Sequence, residues 1–407
     1  MAPDALSRPQ WGVDRPAAPA GLRRSLTFWP MVLYGLGVIV GAGIYVAVGT
    51  VIARAGGGAP LSFLLAGLIA GLTGLCYAEL ASRFPDAGGA AIYVQRGFDS
   101  DRAGQLVGLL MTVALAVSAA SIARGAVSYL AMLLPIHPTV LIVMLIIGFT
   151  GVAAWGVRES VGLAAAIGAL EIGGLVTAIA VGLLDATTFD TAGLWPAHLG
   201  AWQGVAAGGF IAFFAFIGFE TLANLAEEAK DARRTVPRGM LSAIVASIVL
   251  YVAVTVVAVL AYRSDANPLV GMFVGRSAGG FAVVGSLAVA NGVLVHIVML
   301  ARLFYGMARN GQLPAALASI HPRTRTPLRA TLLVGAIVLT TALLVPFDRL
   351  LVLANGLTLA AFALVDAALW RVQRREPAGA ECLTVPGWIP PLAALSAMGL
   401  ILAELVS

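Results

Sequence analysis

Val40-Gly41-Ala42-Gly43-Ile44-Tyr45 sits inside one long apolar run, and Phe213-Phe214-Ala215-Phe216-Ile217-Gly218-Phe219-Glu220 sits inside another. Both stretches are expected to break their own helices. Glycine costs a helix interior roughly 1 kcal/mol relative to alanine, so two glycines around one alanine make unwinding cheap. A break at membrane depth exposes N–H and C=O groups that lipid cannot satisfy, and it survives only where it lines a cavity or binds something. A matched pair of breaks, one in each half of a chain, points to a secondary transporter with a substrate site near the bilayer midplane.

The composition supports a membrane setting. The chain has 407 residues, 60% of them hydrophobic and only 11% charged, against roughly 25% charged in a soluble domain. Mean hydropathy is +0.94. The net charge of +5 does not indicate nucleic acid, because the basic residues lie in short loops between apolar runs. Cys76 falls in an apolar run and Cys382 in a late polar loop, a pairing that makes neither a disulfide framework nor a metal cluster. Both thiols are expected to be reduced. No metal-ligand cluster and no nucleophile–base arrangement is visible, so an enzyme ranks last among the function classes and no cofactor is expected. Residues 1–26 are polar and rich in Pro, Ala and Arg, without the apolar core of a secretory signal. They read as a disordered cytoplasmic tail.

Apolar runs of about 20 residues mark spans. They fall at roughly 28–52, 61–82, 104–133, 138–156, 161–184, 204–227, 239–262, 279–307, 327–345, 348–371 and 388–406, eleven in all. With the N-terminus inside, the outer segments hold only Arg54, Arg263, Arg276 and Arg349. Arg124 lies within span 3, and every other Lys and Arg is on the inner side. That asymmetry orients the chain in the cell membrane with a cytoplasmic N-terminus. Because five is odd, spans 1–5 and 6–10 start in opposite orientations, and an interrupted span opens each set. This is the arithmetic of an inverted five-plus-five repeat. The expected organisation is tail 1–26, first repeat 27–185, second repeat 186–372, and a cytoplasmic loop with an extra span over 373–407.

The breaks describe a receptor for a zwitterion. A half-helix beginning near Ile44 offers free N–H groups and a positive dipole end to a carboxylate. A half-helix ending near Val40, and span 6 around Phe213 to Phe216, offer carbonyls to an ammonium. The candidate substrate residues are Val40, Gly41, Ala42, Gly43, Ile44, Phe213, Phe214, Phe216, Ile217 and Gly218. The plain alternative is that Gly-Ala-Gly is only a close-packing surface.

Ionisable residues at membrane depth are costly and by default functional. Glu171 lies well inside span 5 with no basic residue within nine positions, so it could take and release a proton or be a hydrogen-bonded packing residue. Glu220 follows the second break directly and could brace the backbone or touch the site. Arg124 could snorkel outward or face the substrate path. Glu79 ends span 2 beside Arg83 and reads as an interface pair. His296 and Asp366 are also embedded, and Glu227 and Glu228 read with Lys230, Arg233 and Arg234 as a solvated network.

Several motifs resemble the amino acid–polyamine–organocation permeases. They are Gly-Ala-Gly-Ile-Tyr at 41–45, Tyr-Ala-Glu-Leu-Ala-Ser-Arg-Phe-Pro at 77–85, Gly-Val-Arg-Glu-Ser at 156–160, Ala-Phe-Ile-Gly-Phe-Glu at 215–220 with the charged stretch after Ala226, and Arg-Leu-Phe-Tyr-Gly-Met-Ala-Arg-Asn-Gly-Gln-Leu-Pro at 302–314. The resemblance implies the leucine-transporter-type fold, all α-helical, and uptake or exchange of amino acids or related amines. It implies that Ala42 and Gly43 meet the substrate carboxylate, that carbonyls near Val40 and Phe213 meet its ammonium, and that Phe214 is an aromatic gate. Many sodium-independent relatives carry a span 5 lysine, whereas here Glu171 falls about there and the only lysine is Lys230. Sodium coupling is poorly supported, because residues 287–301 of span 8 contain no Ser or Thr to build an oxygen cage. Relatives commonly have a twelfth span that this chain lacks.

The expectation is therefore a proton-coupled, sodium-independent amino acid transporter working by alternating access, with a small-molecule amino acid or amine, the lipid bilayer and protons as its partners. An amino acid/polyamine antiporter is the alternative within transport, and a non-transporting sensor or subunit the alternative outside it.

Overall fold

The computed structural model describes residues 26–85, 89–155, 161–185, 194–260, 269, 276–309, 311–379 and 381–406. The N-terminal tail as far as residue 25, the turn at 86–88, the motif at 156–160 and Arg263 lie outside the described residues, as do the side chains of Glu227, Glu228 and Arg276. The described residues form helices with no strand. The one pairing of strand type among them is an isolated parallel bridge between Leu26 and Ala229.

Span 1 is two helices, α1 (Phe28–Ile39) and α2 (Ala42–Ala55). Span 2 is α3 (Ala59–Arg83), and a short helix α4 (Gly89–Phe98) follows it. Spans 3, 4 and 5 are α5 (Asp101–Leu133), α6 (Pro138–Trp155) and α7 (Val161–Asp185). Span 6 starts as α8 (Leu199–Ala212) and continues as tighter 3₁₀ turns over Phe213–Phe216 and Phe219–Glu228. Spans 7 to 11 are α9 (Ala232–Leu260), α10 (Arg276–Arg309), α11 (Leu328–Leu344), α12 (Phe347–Arg375) and α13 (Ile389–Val406). Eight helical stretches among the described residues are long and apolar enough to cross a membrane. With the shorter apolar helices Phe28–Ile39, Gly168–Leu184 and Leu328–Leu344 they cover all eleven expected spans.

Polarity is arranged inside out. Leu184, Leu344 and Val406 are more than 80% exposed, whereas Glu79, Glu171, Asn355 and Asp366 are buried. A bilayer rewards that arrangement, since apolar surface faces lipid at no cost and polar groups must find partners in the bundle. Small residues bring the helices together. A Cβ on Gly74 would lie 2.4 Å from Ile244 Cδ1 and one on Gly67 2.5 Å from Ile248 Cγ1, so one glycine-bearing face of α3 closes on α9.

The last helix is fastened at both ends. Arg54, at the end of α2, pairs with Glu404 near the end of α13. At the other side, Glu79 accepts from Arg83 Nε at 2.8 Å, from Gln373 Nε2 at 2.8 Å and from the Val385 N–H at 2.7 Å. Ser82 Oγ accepts from the Leu383 N–H at 2.9 Å. Glu79 therefore holds the α12–α13 connection against the end of α3. Removing one partner of a buried ion pair costs about 3–5 kcal/mol. Glu79→Ala should lower the thermal unfolding midpoint in detergent by far more than an exposed substitution such as Leu395→Ala. Equal midpoints would contradict this role.

Candidate substrate site

Span 1 breaks at Val40 and Gly41. The Val40 N–H still reaches Leu36 O at 2.7 Å, and then Gly41, at φ −48° and ψ −148°, turns the chain out of the helix. α2 restarts at Ala42. The unwound stretch is thus shorter than the sequence suggested, and the second half-helix begins two residues before Ile44. Gly43 belongs to its first turn. The reason is packing: a Cβ on Gly43 would lie 2.8 Å from Ala215 Cα and 3.1 Å from Phe214 O. Gly43 is one of the points where the two broken spans touch, so the close-packing reading and the site reading fall on one residue. The N–H groups of Ala42, Gly43 and Ile44 have no partner within the helix, as at any helix start.

Span 6 breaks in two steps. After the 3₁₀ turn Phe213–Phe216, Ile217 is extended at φ −60°, ψ 134°, and Gly218 takes φ +124°. A Cβ on Gly218 would meet Val38 Cγ1 at 2.8 Å, so conformation and space both require glycine there. Glu220 Oε2 accepts from the Gly218 N–H at 2.8 Å, and Thr221 Oγ1 donates to Gly218 O at 2.6 Å. Glu220 braces the broken backbone. Phe213, Phe214 and Phe216 are all buried, with Phe216 edge-on to Tyr251 at 5.0 Å and Phe213 edge-on to Phe362 at 6.1 Å.

Two side chains absent from the expected set hold the exposed carbonyls. Tyr251 of α9 lies with its hydroxyl 2.7 Å from Ile39 O and 2.9 Å from Ala215 O, one donor shared between the two breaks. Asn355 of α12 donates through Nδ2 to Phe210 O at 3.0 Å, at the end of α8. Both are fully buried. A lone Tyr or Asn in an apolar run is the available signal, since a buried hydroxyl or amide must find a partner. Deleting such a bond leaves a buried carbonyl unpaired at about 1–3 kcal/mol. Tyr251→Phe should lower the thermal unfolding midpoint in detergent measurably. A variant with the wild-type midpoint would show that Tyr251 does not brace the two breaks.

Glu171 reaches the first break from α7. Gly168, Glu171 and Gly174 recur every three residues and so share one face. A Cβ on Gly168 would lie 2.8 Å from Gly37 Cα, and one on Gly174 2.7 Å from Tyr45 Oη. The two glycines let α7 close on span 1, and Glu171 Oε2 comes within 3.8 Å of the position a Gly41 Cβ would take. Asn291 of α10 is its polar neighbour, yet neither carboxyl oxygen has a partner in hydrogen-bonding geometry. The backbone here is well held: Tyr45 Oη donates to Glu171 O at 2.7 Å and Tyr129 Oη to Tyr45 O at 2.8 Å.

Above Tyr45 a cavity of about 1000 Å³ opens along α2 and α5, with Thr50, Arg124, Ser128 and Phe347 in its wall. Arg124 faces this cavity and donates to Val345 O at 2.8 Å. The breaks, Glu171 and Tyr251 therefore meet in one place, Arg124 stands in the vestibule, and Glu220 lies behind the second break. His296 Nδ1 sits 2.8 Å from Gly292 O, a bond within its own helix.

Two discontinuous spans meet inside a helical bundle, with an open cavity beside them, in the manner of a multi-pass membrane protein. The chain belongs to the amino acid permease family, whose model matches residues 26–406. It is similar to the Methylthioribose transporter of Bacillus subtilis (strain 168), 30% identical over 92% of this chain and 87% of that one. It is similar to the Branched-chain amino acid permease BcaP of the same organism, 31% identical over 94% of this chain and 88% of the relative. The Cationic amino acid transporter 9, chloroplastic, of Arabidopsis thaliana is 31% identical over 74% of this chain, and the matched region spans 58% of that longer protein.

Proposed function

We propose that this chain is a secondary active transporter that moves amino acids across the cell membrane by alternating access around the breaks of spans 1 and 6. The observation that carries the reading is the contact of those breaks at Gly43 and Ala215, bridged by Tyr251 and faced by the unpartnered carboxyl of Glu171. The family supports it, and so do relatives whose names specify amino acid transport. The N–H groups of Ala42, Gly43 and Ile44 receive the substrate carboxylate, and carbonyls at Val40 and Phe213 receive the ammonium. Phe214 closes over the bound substrate, and Arg124 lines the approach. Glu171, with Glu220 as the other candidate, exchanges the coupled proton, without sodium.

Counterpart spans support the inverted repeat over 27–185 and 186–372: α3 lies along α9, α5 along α10, and α6 along α11. Those are spans 2 and 7, 3 and 8, and 4 and 9, paired as a two-fold relation between halves would pair them. A cytoplasmic N-terminus follows from the Lys and Arg asymmetry.

Exchange of an amino acid for an amine is the second reading. The acidic group beside the first break favours it, because a cationic substrate would neutralise Glu171 directly. Radiolabelled amino acid uptake into proteoliposomes tests the function. Accumulation under an inward proton gradient with an empty lumen supports coupled uptake, whereas flux only with a preloaded lumen supports exchange. No flux of any amino acid or amine under either condition overturns both.

A further inference from the structure

A second buried acidic group lies away from the meeting point of the two breaks. Asp366, on α12, is fully buried. Its Oδ2 accepts a hydrogen bond from Thr73 Oγ1 of α3 at 3.0 Å, and the Cys76 thiol, about one turn further along α3, also faces the carboxyl. Oδ1 is buried without a partner. The Tyr77 hydroxyl is buried without a partner too, and it lies in the field of both Glu220 and Asp366. Its ring is boxed by Tyr93 at 5.8 Å, Phe219 at 5.7 Å and Phe362 at 5.4 Å, so the hydroxyl is held in place.

The groups around this cluster come from three elements. α3 supplies Thr73, Cys76 and Tyr77, with Glu79 acting on Cys76 from further along; α4 supplies Tyr93; the 3₁₀ segment Phe219–Glu228 supplies Glu220. α5 and α13 also pack on α12, and among the described residues neither adds an ionisable group to those acting on Asp366. Among the described residues no basic side chain answers the acid. An unpaired carboxylate at this depth is expensive, and a proton is the smallest cation that relieves the cost.

We propose that Asp366 is a second proton-binding site of this protein, set between α3 and α12. A proton on Asp366 alters the polar contact that Thr73 makes between α3 and α12. What this proton does for transport rests on the proton-coupled reading above; that the site binds a proton does not.

The test is infrared difference spectroscopy of the purified full-length protein across a pH titration, with hydrogen–deuterium exchange to identify carboxyl C=O bands. A titrating carboxyl band is expected that disappears in Asp366→Asn and persists in Glu171→Gln. Thr73→Val, which keeps the acid and removes its hydroxyl donor, should retain the band and move its frequency and midpoint. If Asp366→Asn does not fold, the Thr73→Val shift carries the test alone. A wild-type spectrum with no titrating buried carboxyl, or one unchanged by both substitutions, overturns the proposal. A band that behaves as expected in a protein showing no amino acid flux would keep this site and remove the transport reading, so the two failures are distinct.

Discussion

Replacing Gly43 by valine should abolish amino acid uptake, with a loss of about 100-fold or more. The neighbours a side chain would meet are Ala215 Cα and the Phe214 carbonyl oxygen, at 2.8 and 3.1 Å from a Cβ. Both are main-chain atoms and cannot swing aside as the end of a flexible side chain would. Overpacking of this kind costs typically 1–3 kcal/mol, so the variant is expected to fold with a lowered unfolding midpoint. The functional loss is larger because the breaks are pushed apart. In the proposed site the substrate carboxylate then loses charge-assisted hydrogen bonds to the first turn of α2, each worth about 1.5–3 kcal/mol, and 1.4 kcal/mol is tenfold in affinity. Gly43→Ala should fall between wild type and valine. Equal uptake by the valine variant, measured at equal protein in proteoliposomes, would show that the contact at Gly43 is not part of the site.

The second large effect is at Glu171. Glu171→Gln keeps the shape, exchanges one carboxyl oxygen for an NH2 donor, and cannot take up and release a proton. One pH unit across the membrane is worth about 1.36 kcal/mol, or about tenfold accumulation for one proton per substrate. Wild-type protein should concentrate its substrate about tenfold per unit of inward pH gradient, and Glu171→Gln should not concentrate it at all. Counterflow, which needs no net proton movement, should survive in the variant. Accumulation in Glu171→Gln that follows the gradient as in wild type would remove this residue from coupling and leave Glu220 and Asp366 to be tested in its place.

The parts of this molecule that were readable beforehand are those where a residue type forces a backbone outcome. Gly41 and Gly218 interrupt apolar runs too long to be anything but spans, so the breaks could be placed to within a few residues. The structure moved the restart of α2 from Ile44 to Ala42, because unwinding stops as soon as Gly43 can pack against Ala215. α4 went unrecognised because it has ten residues, well short of the run that marks a span. The 3₁₀ form of Phe219–Glu228 is equally hidden, since nothing in its side chains separates it from an α-helix.

What the sequence withholds is facing. Tyr251 and Asn355 stand in apolar runs with no local sign that they turn toward the breaks, and only the bundle brings their polar ends to Ile39, Ala215 and Phe210. Glu171 could be placed at depth, but its approach to Gly41 depends on α7 closing on α1. The spacing of Gly168, Glu171 and Gly174 was a usable signal for that, because small residues three positions either side of an acid leave room for another backbone on the acid's own face. Arg124 was readable only as embedded; the cavity wall along α2 and α5 supplies its direction.

The most direct measurement is a structure of the protein in lipid nanodiscs with its transported amino acid bound. The expected result places the ligand carboxylate within hydrogen-bonding distance of the Ala42, Gly43 and Ile44 N–H groups, with its ammonium on carbonyls at Val40 and Phe213. Density for the ligand anywhere else, with Gly43 still seated on Ala215 and no solute between the two broken helices, would contradict the account.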